Sequence, residues 1–426
     1  MMPGRIGRSR RGAAYLVALL AGSIVTVTGL AALSMTTSRA RTTSMADHAA
    51  RARNLASTGL EHAMCALAAH MDGGGTRSDV FGAAEPSISF DGGTFGWSLR
   101  RMDGSAIMNT DEPIVVRAKA EHGPARYGMQ AIFPPSGVPY DVLDTGMYVA
   151  GELRFSTASN FTSDKVVGTI TEAFATSAAI NAPVESVGEI NGSLYAGTTS
   201  PGVDARQMPD PTLINYYVAL GERINVGSLP TTLGTPALKQ ALLSPTSNPY
   251  GSTNEFGIYI IDCAGGNLIV EEIRIVGTLV LLNSTGTTII GRNTLIEPAY
   301  SWMPSLLVQG NTSYMGTNAG PSEVTLGINL NPAHTPSGME WDAAADDTYE
   351  GAIKGVSYVT GNAYFALPRQ NIRGTMIIGG DARVYGGVTV NIEYDANVAT
   401  LPPYGFFEDN GGLAIDPSTV TWGVPF

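Results

Sequence analysis

Tyr148-Val-Ala-Gly151-Glu152, Leu307-Val-Gln-Gly310-Asn311, Tyr358-Val-Thr-Gly361-Asn362 and Ile377-Ile-Gly-Gly380-Asp381 repeat one formula. Two apolar residues and a free position are followed by glycine, then by asparagine or an acid. Cys263-Ala-Gly-Gly266-Asn267 is a weaker fifth copy, and Ile275-Val-Gly-Thr-Leu-Val-Leu281 matches Ile372-Arg-Gly-Thr-Met-Ile-Ile378 over a longer span. Short β-branched runs ended by Gly-Asn or Gly-Asp corners suit a chain that turns again and again in one sense. Glycine offers the positive φ that a tight corner takes. The repeat therefore predicts a right-handed β-solenoid (β-helix) over 140–426, each coil covering the apolar face of the next. Two stretches break the rhythm and are read as excursions. Residues 204–256 carry Pro209-Asp-Pro211 and a helical Leu213–Leu220, and residues 330–349 carry Trp341 with Asp342, Asp346 and Asp347.

Composition agrees with many short strands. The 426 residues include 51 glycines and 25 prolines, and charged residues make up only 15 %. That is too little charge for a disordered chain and too much glycine for a helical bundle. The length predicts two or three folded pieces. The net charge of −12 excludes general nucleic-acid binding, which needs a basic surface to displace counterions. Charge is unevenly divided. Residues 1–71 hold eight arginines, no lysine, and the acids Asp47 and Glu61, a charge of +6, so the remainder carries −18. Cys65 and Cys263 are too few for a disulfide framework, and no CxxC pair is present.

The N-terminal segment has a different period. Gly12 to Ser38 contains no charge. Its apolar part from Ala13 to Met35 would reach ~35 Å as a helix, enough for a hydrocarbon core of ~30 Å. The basic residues 1–12 before it predict a cytoplasmic N-terminus. The helical pattern continues through alanine-rich sequence, with Leu60, Met64 and Leu67 at i, i+4 and i+7, until Asp72-Gly-Gly-Gly75 stops it. The expectation is a helix over 13–71, crossing a membrane at about 13–38. Next, Ser87–Phe90, Thr94–Leu99, Ile114–Lys119 and Tyr127–Phe133 alternate as strands between Asp-Gly turns. They predict a small antiparallel sheet over 76–133, closed by the stiff Pro134–Pro139 linker. The expected fold class is thus α+β: a long transmembrane pilin-like helix, a small antiparallel sheet, then the solenoid.

Arg10-Arg11-Gly12-Ala13-Ala14-Tyr15, the apolar helix, and Arg51-Ala-Arg-Asn-Leu-Ala-Ser-Thr-Gly-Leu-Glu-His-Ala63 resemble the N-terminus of type IV pilin-like proteins. The likeness is nearest to the PilX N-terminal family and the tip pseudopilin of type II secretion, and covers about residues 8–70. The sequence from Gly374 to Asp395, with Leu401–Phe406 after it, is similar in rhythm to solenoids found behind PilX-type N-termini. The resemblance implies that a prepilin peptidase cuts after Gly12 and leaves Ala13 as the mature N-terminus. Major pilins of this class carry glutamate at the fifth mature position, where this chain has Val17. Tip pseudopilins also lack that acid, so the resemblance implies a minor or tip subunit of a type IV pilus or pseudopilus. Its implied partners are other pilin-like subunits, the peptidase and the inner membrane. The bulk of the chain would lie in the periplasm or outside, displaying the solenoid for adhesion, with surface polysaccharide as the ligand class. The alternative reading of the leader is a plain signal anchor, with Ser44-Met45-Ala46 as a cleavage site.

The residues offer little chemistry. A solenoid glycosidase or lyase needs acids gathered on one strip of the coils. Glu271, Glu272 and Arg274 are candidates, as are Asp381, Arg383, Glu393 and Asp395. Acids at alternate strand positions are ordinarily solvated, and Asp381 fills the corner slot of Asn311 and Asn362. His62 and His70 stand eight apart, not at the spacing of a helical metal pair. No Gly-x-Ser-x-Gly, phosphate loop or dinucleotide fingerprint occurs. The reading is of a structural protein with no catalytic residues, metal or cofactor. The alternative is an anchored or exported carbohydrate-active β-helix enzyme or carbohydrate-binding protein.

Overall fold

The computed structural model describes residues 10–72, 87–105, 112–134, 137–192, 196–285, 288–333, 343–408 and 421–423. The basic leader, residues 1–9 of the expected 1–12, lies outside them.

Helix α1, Arg10–Asp72, is 63 residues long. Its C-terminal half carries apolar side chains at helical spacing, and Ala52, Leu55, Ala56, Leu60, Ala63 and Leu67 are all buried. They lie on an antiparallel sheet of β1 (Ser87–Phe90), β2 (Gly93–Arg101), β3 (Ile114–His122) and β4 (Ala125–Phe133), with Thr421–Gly423 added beside β4. The small residues let the helix settle close. A Cβ added at Gly59 would stand 3.1 Å from the Phe95 ring and 3.3 Å from Ala118.

The expected transmembrane helix is overturned. Among the described residues no helix is long and apolar enough to cross a membrane. The physical reason is visible from Thr26 onward, where Thr26, Thr28, Ser34, Thr36, Thr37 and Ser38 interrupt the apolar residues and Arg39 and Arg41 follow. The hydroxyls of Thr36, Thr37, Thr42 and Thr43 bond back to carbonyls one turn earlier. That satisfies the hydroxyls without making the surface apolar. The single-pass inner-membrane localisation falls with it.

After residue 146 the chain forms a 23-stranded sheet whose long pairings are parallel, an arrangement compatible with a β-helix. A typical turn has three short strands: Met147–Val149, Leu153–Phe155 and Asn160–Ser163. These pair in register with Val167–Thr169, Ala173–Ala175 and Ala179–Asn181 on one side. On the other side they pair with residues 376–378, 382–384 and 389–392. The first turn in sequence therefore stacks on the last. From 147 the coils climb away to Thr199–Pro201. The chain then runs back along the outside, and residues 222–243 begin a second series on the far side. That series descends through 258–276, 278–297, 306–316 and 357–373 to meet the first.

The two apolar positions of the repeated formula serve two cores. Val149, Val308, Val359 and Ile378 point inward with Phe155, Phe161, Leu281 and Phe365. Tyr148, Leu307, Tyr358 and Ile377 point outward, into a second core with Leu143, Leu213, Tyr217, Trp302 and Phe406. Strands buried on both faces read as unbroken apolar pairs rather than as alternation.

Candidate functional site

The corner residues form a ladder along the stack. Asn311 Oδ1 accepts the backbone N–H of Asn362 at 2.7 Å, and Asn362 Oδ1 accepts that of Asp381 at 2.7 Å. Asp381 Oδ1 then accepts the N–H of Glu152 at 3.0 Å. Asp381 is thus a rung, and the ladder joins the two series of coils. The glycines before these residues serve mainly by being small. Of Gly151, Gly310, Gly361 and Gly380, Gly310 alone has positive φ, at 111°. A Cβ at Gly361, Gly380 or Gly151 would collide with the side-chain oxygen of the rung beneath. The fifth copy does not join. Gly265 and Gly266 form a turn, with Gly266 N–H bonded to Cys263 O.

The acids considered for catalysis are tied up in ion pairs and hydrogen bonds. Buried Glu297 takes Arg274 at 2.8 Å and Lys354 at 3.1 Å, and Lys354 reaches Glu350 at 3.2 Å. Arg373 bridges Glu350 at 2.8 Å and Glu393 at 3.1 Å. Alternating charge runs from coil to coil, with Glu297 and Glu350 each between two bases. Glu271 accepts from Thr232 at 2.7 Å, and Glu272 from Gln240 at 3.0 Å. Asp395 accepts the Asn397 N–H. Trp341 and Asp342 lie outside the described residues. Asp347 bonds Asn331, and its own N–H reaches buried Glu323. The Glu323 carboxylate, from the sequence's least conspicuous acid, also accepts Leu330 N–H at 2.5 Å and Tyr349 O–H at 3.0 Å. Arg274 stacks on the Tyr349 ring, 4.3 Å from its centroid.

The histidines act singly or in one pair. His48 on α1 meets His122 at the end of β3, with Nδ1 atoms 2.8 Å apart, and His62 accepts from Trp97 Nε1 at 3.1 Å. His334, like the side chain of His70, is outside the described residues. Among the described residues no group of three or more His, Cys, Asp or Glu is placed to hold a metal ion.

The returning segment is strapped to the outside of the coils by hydroxyls that sequence reasoning missed. Tyr148 Oη accepts the Arg206 N–H at 2.9 Å, and Tyr358 Oη donates to Pro209 O at 3.2 Å. Burial, with Asp210 nearby, pushes the Tyr358 hydroxyl up to about 12. Arg206 holds Glu185 and donates to Asp141 O at 2.9 Å. The signal available was the tyrosine in the outward slot of two repeat copies.

The remaining surface feature is the N-terminal half of α1. Gly12, Ala13 and Val17 lie in its first turns, and their side chains are outside the described residues. From Leu19 to Asp47 every described side chain is exposed, Val27 at 65 %, Leu30 at 62 %, Leu33 at 61 % and Met35 at 67 %. Among the described residues, none of the described side chains of this half of the helix is covered.

No protein-family model matches the sequence, so the PilX resemblance rests on the quoted residues alone. No curated protein matches it either. Among solved structures the chain is similar to the competence-associated pilin ComZ from Thermus thermophilus, at 13 % identity. The alignment covers 88 % of this chain and 97 % of that one, with a TM-score of 0.28. A likeness that loose carries no conclusion about shared fold or role.

Proposed function

We propose that the chain is a non-enzymatic, pilin-like subunit, built into a filament through α1 and carrying the coiled β-body as its displayed part. The observation that supports this is the bare half-helix. At ~1.5 Å per residue, 19–47 extends roughly 43 Å beyond the seat on the sheet. Its apolar side chains, from Leu19 and Leu20 through Met35, spread over roughly 200° of circumference. A stripe that wide calls for several neighbouring helices rather than one, because exposed apolar surface of this extent is ordinarily covered. The neighbours that fit are the equivalent helices of other pilin-like subunits. The prepilin-type site at Gly12 and Ala13 belongs to the same reading, and Val17 in place of glutamate favours a minor or tip position.

Two measurements test it. Mass spectrometry of the native chain is expected to give Ala13 as the N-terminus; one at Asp47, or an intact Met1, speaks against the reading. Replacing Leu30 and Leu33 by aspartate is expected to abolish incorporation into filaments while leaving the β-body folded. Unchanged incorporation would sink the proposal.

A further inference from the structure

We propose that the β-body carries a binding groove for an uncharged oligosaccharide, between the returning segment and the C-terminal end of the described coil. This deepens the display half of the proposed function; the helix half is tested separately, so either can fail alone.

The groove has a volume of about 600 Å³, within the range of small-molecule sites. It is lined by the part-exposed Tyr140, Tyr216 and Tyr404, by the buried Phe407, and by the exposed acids Asp210 and Glu408. Three distant parts of the chain supply these groups. Tyr140 follows the linker and its N–H bonds Phe406 O at 3.0 Å. Asp210 and Tyr216 come from the returning segment, and Tyr404 to Glu408 follow the last coil. The aromatic wall is a packed one, for Tyr216 and Tyr404 lie ring against ring, with centroids 4.1 Å apart and planes tilted by 38°. It is also fixed: Tyr217 Oη donates to Tyr404 O at 3.1 Å, and residues 407–408 pair with 138–139.

Each part fits one face of a pyranose. Aromatic rings cover the apolar C–H face of a sugar and leave its rim free. The carboxylates accept hydroxyl protons in charge-assisted bonds, the stronger kind. Asp210 is held ionised for this, because Thr212 hydrogen bonds pull its carboxyl below the ordinary range. The Tyr140 hydroxyl is protonated at neutral pH and can donate, and burial with the Glu408 and Asp210 charges pushes it further up. No lysine, arginine or histidine lines the groove among the described residues. Two carboxylates without a cation repel an anionic chain such as a polyuronate.

The test is calorimetric titration of the full chain with cellotriose, maltotriose, tri-N-acetylchitotriose and tri-galacturonate. At least one neutral trisaccharide is expected to saturate at millimolar concentration or below, with tri-galacturonate about tenfold weaker or silent. Tyr404→Ala and Glu408→Gln are each expected to weaken the neutral ligand about tenfold. Glu408 is exposed, so Glu408→Gln keeps the test sound if the tyrosine variant folds poorly. The proposal is overturned if no neutral trisaccharide binds, if Glu408→Gln binds as the parent does, or if the acidic sugar binds best. Filament incorporation of Glu408→Gln is expected to be unchanged.

Discussion

Asn362 receives one coil and supports the next, so it shows what a single side chain does in this stack. Its N–H is satisfied by Asn311 and its Oδ1 satisfies Asp381. Asn362→Ala leaves a part-buried N–H without its acceptor, expected to cost about 1–3 kcal/mol in urea unfolding. Asn362→Asp keeps the acceptor, as Asp381 does one rung on, and is expected to lose less than half as much. A second contrast concerns the thiols. Cys65 is exposed and Cys263 buried, and burial raises the Cys263 thiol to about 11. The thiolate is the reactive form, so on the order of one Cys263 in a thousand is reactive at pH 8. Iodoacetamide with peptide mapping is expected to modify Cys65 and spare Cys263 in the folded chain. The sign for stability follows: the folded state keeps this proton longer, so stability falls as pH rises from about 9 towards about 11. At this scale the sequence was readable where a residue type repeats. The Gly-Asn slot announced itself in four copies, and Asp381 was correctly placed in it as structural. Glu323 was not readable, because one acid among polar neighbours gives no sign that Leu330, Asp347 and Tyr349 will close around it.

Two elements depend on particular seats. Leu60 is fully buried where α1 crosses the sheet, packed with Leu99, Val116 and Phe133. Leu60→Ala is expected to cost about 2–5 kcal/mol locally. Hydrogen exchange should then quicken in α1 from 52 to 67 and in β3, and not in the coils. Glu323 holds the described ends of the 330–349 stretch, Leu330–Asn331 and Asp347–Tyr349. Glu323→Ala strands several donors in a site closed to water, and limited proteolysis is expected to open this stretch first. The apolar period of Leu60, Met64 and Leu67 did disclose the docked half of α1. Its other half was misread as a membrane span, because the run was judged by the absence of charge, and threonine and serine carry none while remaining polar.

For the whole molecule, the order of the coils was the hidden quantity. Stacking obeys backbone pairing, and each repeat copy looks alike from the sequence, so nothing in the spacing of Gly151, Gly310, Gly361 and Gly380 says that 147–163 lies beside 376–393. This pairing of segments far apart in sequence is also central, which predicts slow folding. A chain ending after residue 375 is expected to lose protection in 147–201 while keeping it in 258–297, a pattern that hydrogen exchange can read directly. The same arrangement decides how the body bears load. The sheet under α1 hands the chain over at residue 140, and the first strand after it, Met147–Val149, is clamped between 376–378 and 167–169. Tension arriving from the helix therefore enters the column at its waist, where two interfaces must shear together, and not at a tip from which turns peel off one by one. Stretched in an optical trap, the molecule should hold to a single high-force rupture, and a version rejoined so that force enters at Thr199–Pro201 should unzip in small steps.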